Sequence, residues 1–158
     1  MRLHIFILIL CSFYGTSAQS ISANSGWNAN VSSSEISDAG LDYNGTYQSS
    51  QTETYVTASG FNIFRNYYVY VEKSELDWNS NLILSARRTG NGSGGWFGSI
   101  SGGTNYIPLS NSSQLFYYGG IGFSNSRSNV PIQYQIEGLS VLLPAKTYTI
   151  SVIYTVSD

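Results

Sequence analysis

Apolar and polar residues alternate with a period of two at several places along this chain, most cleanly at its C-terminal end. Within residues 148–156, Tyr148, Ile150, Val152, Tyr154 and Val156 share one parity, while Thr149, Ser151, Ile153 and Thr155 share the other. Successive side chains of a strand point to opposite faces, so the pattern predicts a strand with one core face and one hydroxyl-rich face toward water. Residues 130–141 repeat the alternation, with Ile132, Tyr134 and Ile136 expected to face in and Gln133, Gln135 and Glu137 to face water. Residues 142–146, containing Pro144, turn the chain between these runs, which are therefore expected to pair as a C-terminal hairpin.

The rest of the chain reads the same way. In residues 61–73, Tyr67, Val69 and Val71 form one face and Phe64, Tyr68 and Tyr70 the other. Two apolar or aromatic faces predict a central strand, covered on one side and tyrosine-lined on the other. Residues 74–81 are expected to be a connection, and residues 82–88 a strand facing inward through Leu82, Leu84 and Ala86. Residues 46–58 give a weaker strand pattern, and 115–118 a short strand ending at Gly119-Gly120, with 121–123 as a bulged continuation. Residues 89–105 are glycine-rich, with 97–101 as a short edge. No window has helical periodicity. The fold class expected is all-β, an antiparallel immunoglobulin-like β-sandwich, with a jelly roll as second choice.

Composition adds compartment to this picture. Arg2 precedes an apolar run, residues 3–13, that is too short to span a bilayer, and Thr16-Ser17-Ala18 follows. That layout is a secretory signal peptide, residues 1–18, cut after Ala18. Removing eighteen of the 158 residues leaves 140, organised as an arm or first strand (19–33) and one sandwich domain (34–158). The expected location is secreted or at the cell surface. Cys11 and His4, the only cysteine and histidine, leave with the signal. Ser-His-Asp or Cys-His catalysis, disulfides and His- or Cys-based zinc sites are thereby excluded from the mature chain. Six basic and nine acidic residues then remain, a net charge of −3 with no basic patch, so nucleic acid is not an expected partner. No further apolar run is long enough for a membrane span.

Three groups carry candidate chemistry. Glu72, Glu75 and Asp77 lie close together as a carboxylate set, but spacing alone assigns them no catalytic role. Asp38, Asp42 and Asn44 beside Gly45 form an oxygen-rich loop of the kind that holds calcium. That loop lacks the closing bidentate glutamate, and Asx residues beside glycine are also ordinary turn formers, so no metal or other cofactor is assigned. Trp78, Trp96 and Tyr106 are candidate ligand-facing aromatics. Such rings stack on sugars, and Trp96 sits in a glycine-rich loop with little core around it.

Residues 19–33 carry a quieter alternation. Ile21, Ala23, Trp27, Ala29 and Val31 share a parity, and the segment is either the first strand of its own sheet or an arm that pairs with another chain.

The ending PAKTYTISVIYTVSD resembles the final strand of secreted bacterial surface proteins with immunoglobulin-like folds, the pilin-like and spore-coat-U-like subunits. The resemblance implies a non-enzymatic structural or adhesive role at the cell surface, with self-association through strand edges. Ile21, Ala23, Trp27, Ala29 and Val31 would then be the strand-donor positions. Many such subunits carry a disulfide, which this chain cannot form once the signal is cut. The alternative function is a carbohydrate-binding module using Trp96 and neighbouring tyrosines, with a glycan as partner.

Overall fold

The apolar faces meet as expected, but across two sheets instead of side by side in one. The computed structural model describes residues 18–32, 42–43, 45–120 and 122–158; the expected signal up to Ser17 lies outside them, as does most of the segment 33–44. The described residues contain eleven strands: β1 (Ser20–Ala23), β2 (Thr46–Gln48), β3 (Thr54–Ser59), β4 (Asn66–Asp77), β5 (Ile83–Arg88), β6 (Ser93–Gly94), β7 (Ile100–Ser101), β8 (Ile107–Pro108), β9 (Gln114–Gly120), β10 (Ser126–Glu137) and β11 (Thr149–Ser157). One sheet runs β1-β3-β10-β5-β8, with β2 and β6 also on β10; the other runs β11-β4-β9-β7. All pairings are antiparallel. The two sheets pack face to face, so the protein is an all-β sandwich.

β4 sets the long axis. Its twelve residues extend about 36 Å at roughly 3.3 Å per residue, from an upper end at Asn66 to a lower end at Asp77. The core lies between inward parities: Val56 and Ala58 on β3, Tyr67, Val69 and Val71 on β4, Leu84 and Ala86 on β5, and Val130, Ile132 and Tyr134 on β10 are all buried. Phe116 and Tyr117 are adjacent yet both buried, because β9 bulges there: Val69 pairs with Tyr117 and Tyr70 with Leu115, leaving Phe116 unpaired and free to turn inward. A second bulge separates Arg127 from Val130 on β10, with Asn129 at φ 55, and keeps both of those side chains inward.

Four expectations need correcting. The C-terminal hairpin does not form: β10 and β11 belong to different sheets, and β11 pairs with β4 along its whole length. The connection 138–148 is far longer than the two to five residues, roughly, of a tight hairpin, and it carries the chain across the sandwich. Gln133 and Gln135 are not solvated; they are 4% and 9% exposed. β10 is central, and its outer face is covered: Gln133 donates to the Ser49 carbonyl at 2.8 Å and accepts from Arg87 at 2.8 and 3.0 Å, while Gln48 donates to Gln135 at 3.0 Å. Residues 74–77 continue β4 instead of forming a connection. Gly119 and Gly120 lie within β9, since a Cβ on Gly119 would strike the Ser99 carbonyl of the adjoining β7 segment.

The face assignment of β11 itself agrees with the pattern. Ile150, Val152, Tyr154 and Val156 pack on the core, and Thr149, Ile153 and Thr155 are exposed. Tyr154→Asp, which buries a charge against Phe116 and Tyr134, should cost about 3–5 kcal/mol and unfold the domain. Thr155→Asp should stay within about 0.5 kcal/mol of the parent in urea denaturation. Equal losses would mean that both faces of β11 are buried.

Candidate functional site

β11 is an edge strand. It pairs with β4 on one side only, and β1 at the facing edge of the other sheet pairs only with β3. The backbone groups on the outer side of β11 therefore have no ladder partner among the described residues. Beside this edge, in the lower half of the sandwich, a cleft of about 930 Å³ opens between the sheets. Its walls are the inward residues Ile150, Val152 and Tyr154 of β11 and Tyr134 and Ile136 of β10, with Leu84 behind them. A smaller cleft of about 100 Å³ continues it upward between Ile21, Ala23, Val152 and Tyr154.

The N-terminal arm crosses the mouth of the large cleft. Ser20–Ala23 pairs with Ser59–Val56 on β3, and Ser20 and Ser59 bring their hydroxyls to 2.8 Å. Just below, the Asn24 side chain accepts from Tyr55 N at 2.8 Å, and the Ser25 carbonyl accepts from Thr54 Oγ1 at 2.8 Å. Trp27 stacks on Tyr134 with centroids 6.5 Å apart and planes 8° apart. Asn28, Ala29 and Asn30 are exposed and Val31 half-buried, all at the rim of the cleft. Of the arm parity, Ile21 and Trp27 pack on the core while Ala23 and Ala29 stay exposed.

The aromatic candidates are not brought together. Trp78 closes the turn after β4 by donating to the Leu82 carbonyl at 2.8 Å, and it packs on the core at the lower end. Tyr106 takes the Arg87 guanidinium over its ring at 4.6 Å. Trp96 is 69% exposed at the upper end, where it stacks on Phe97 at 4.9 Å and meets Phe123 at 5.8 Å; Phe64 packs edge-on against Phe123 at 4.7 Å. The rings around Trp96 are thus phenylalanines, not tyrosines. Phe64 and Phe97 hold φ of 61° and 60°, a costly conformation for bulky residues that turns both rings outward. Phenylalanines flanking glycine-bearing turns were the available sequence signal, but three separated loops gave no reason to group them.

Two of the three carboxylates have a basic neighbour at the surface: Glu75 is 2.8 Å from Lys73, and Asp77 is paired with Lys146. Asp42 accepts from the backbone amides of Val141 and Tyr43 at 2.9 and 2.8 Å, and these bonds hold its carboxyl below the usual range. Its role there is to tie residues 42–43 to the loop before β11; Asp38 and Asn44 lie outside the described residues.

Tyr134 and Tyr154 bridge the sheets at the cleft, hydroxyl to hydroxyl at 3.0 Å. Burial pushes both phenols above their ordinary value, and it does the same to Tyr67 and Tyr117 higher in the core. These groups stay protonated in the folded state at pH values where the unfolded chain loses its protons. The contribution of these phenols to stability is therefore level below about pH 10 and falls above it, by at most about 1.4 kcal/mol per pH unit for each phenol that stays protonated in the folded state. Urea midpoints measured from pH 8 to 11.5 should show that break, and Tyr134→Phe with Tyr154→Phe should shallow it.

The chain matches no protein-family model, no curated protein and no solved structure.

Proposed function

We propose that this chain is a non-enzymatic, exported structural subunit that associates with further copies by strand addition. The arm of one copy, residues 19–33, lies beside β11 of the next. The observation that carries this reading is the outer edge of β11, without a ladder partner among the described residues, standing over a cleft with apolar walls. An added strand gains main-chain hydrogen bonds from the edge and side-chain burial from the cleft. The single parity of Ile21, Ala23, Trp27, Ala29 and Val31 suits such a strand, with alternate residues entering the cleft. The arm already crosses the cleft in its own chain, so the cleft accepts these side chains, and donation to a second copy trades the main-chain bonds to β3 for bonds to β11.

The strand order supports an immunoglobulin-like type for the sandwich. In chain order β1, β3, β4, β5, β10 and β11 occupy places equivalent to A, B, C, D, E and F, with A-B-E-D facing F-C. The place beside F that a last strand G would fill is the free edge of β11. The repeated crossing between sheets from β7 to β11 favours the jelly roll as second choice. Export rests on the signal-like first eighteen residues.

A second reading, a carbohydrate-binding module, is supported by the exposure of Trp96. Quenching of tryptophan emission across a glycan panel, lost in Trp96→Ala, would favour it.

The strand-exchange reading is tested by Ser20→Cys with Ser59→Cys, whose hydroxyl geometry suits a disulfide in a mature chain without other thiols. Oxidised protein, its arm locked onto its own β3, should stay monomeric by light scattering. Reduced protein should form concentration-dependent oligomers. Equal size in both states, or no association in either, contradicts arm exchange.

A further inference from the structure

Two arginines enter the upper half of the sandwich from one sheet, Arg88 on β5 and Arg127 on β10, and they are 6% and 5% exposed. Register accounts for the inward direction of both. Arg88 stands opposite Ile132 and Arg127 opposite Ala58, and both partners belong to the core. Facing them from the other sheet are Tyr67 and Tyr117, 0% and 1% exposed, with rings edge-on at 6.5 Å.

Neither arginine belongs to an ion pair among the described residues, whose salt bridges are Lys73–Glu75 and Lys146–Asp77. The glycine-rich loop supplies neutral acceptors instead. Arg88 donates to the carbonyls of Gly102 at 2.6 Å and Gly90 at 3.1 Å, and to Asn91 Oδ1 at 2.6 Å; Arg127 donates to the Gly98 carbonyl at 3.1 Å. The loop is thus wrapped around two guanidinium groups. Four carbonyl-type oxygens soften the desolvation of those cations without cancelling their charge.

Arg127 Nε, Tyr67 OH and Tyr117 OH are buried with no hydrogen bond of good geometry among the described residues, and the Tyr67 hydroxyl stands close to the Arg127 guanidinium and interacts with it. Such groups are rare in a folded protein, because each has given up its bond to water without a full replacement. These three come from facing elements. The ionisable groups that act on Arg88 are Tyr67, Tyr117 and Arg127, with no carboxylate among them. Two cations and two phenolic hydroxyls with no acceptor of good geometry in one interior region form the complement of an anion.

We propose that the upper interior of the sandwich is a binding site for a small monovalent anion of halide size, held by Arg127 Nε and the hydroxyls of Tyr67 and Tyr117, with Arg88 supplying further positive charge. Sheets about 10 Å apart and filled with side chains leave no room for a phosphate ester or a sugar acid. The anion ties β4 and β9 to β10, and through the arginines it steadies the glycine-rich loop. The proposal is independent of strand exchange at the lower cleft.

The test is thermal melting of the mature chain in sodium gluconate, replaced stepwise by chloride or bromide at constant ionic strength. A saturable rise in Tm is expected with both halides. Tyr67→Phe and Tyr117→Phe remove only a hydroxyl and should keep the fold, yet each should weaken the apparent halide affinity about tenfold or more. Crystals grown in bromide should show anomalous density between Arg127 and the two hydroxyls. A Tm indifferent to the anion overturns the proposal. So does an undiminished halide response in both phenylalanine variants, or a bromide peak elsewhere on the molecule with none at this site.

Discussion

The pairing of β11 with β4 is the constraint on which the rest of this architecture depends. It places the last strand in the sheet opposite β10, so the apolar faces of the two clearest strands stack through the core instead of lying side by side. Tyr134 and Tyr154 then meet across the sandwich at 3.0 Å, and Phe116 packs on Tyr154 from the neighbouring β9. The same placement leaves the outer edge of β11 without a ladder partner among the described residues. Closure of the core and exposure of an edge are consequences of one pairing.

The two ends of the molecule are built on different physics. The lower end is an apolar cleft beside open backbone, partly crossed by the arm. The upper interior is a cationic region where Arg88 and Arg127 replace apolar residues at core positions and the glycine-rich loop supplies their hydrogen-bond acceptors. Glycine serves a steric purpose there. A Cβ on Gly103 would crowd the Phe116 carbonyl at 2.9 Å, and at φ +69 that residue is in the left-handed region. Low complexity in residues 89–105 thus reflects close approach of backbone to arginine and to β9.

Period-two alternation made the strands legible because it reports which side chains face the core, and Tyr67, Val69, Val71, Ile132, Tyr134 and Val152 all lie on the face it assigns them. It carries no information on which strand a face is laid against, so β10 and β11 looked like partners. Polarity misled at Gln133 and Gln135, because amides that hydrogen-bond Ser49, Arg87 and Gln48 can be buried on the outer face of a central strand. Phe116 and Arg127 escaped the pattern for a shared reason: bulges shift parity locally, and nothing in a single sequence marks them. The cleft was not legible at all, since it is made by residues from β10, β11 and the arm that are brought together only by the crossing of the sheets.

The central claim is that β11 is an unpaired edge which a second copy completes, and amide hydrogen exchange along residues 149–157 tests it most directly. In dilute monomer, β11 amides directed at β4 should be protected and the alternate set directed away from β4 should exchange freely. When the chain associates, that alternate set should become protected. Protection of both sets in the dilute monomer, or an alternate set that stays open in the associated protein, would contradict the account.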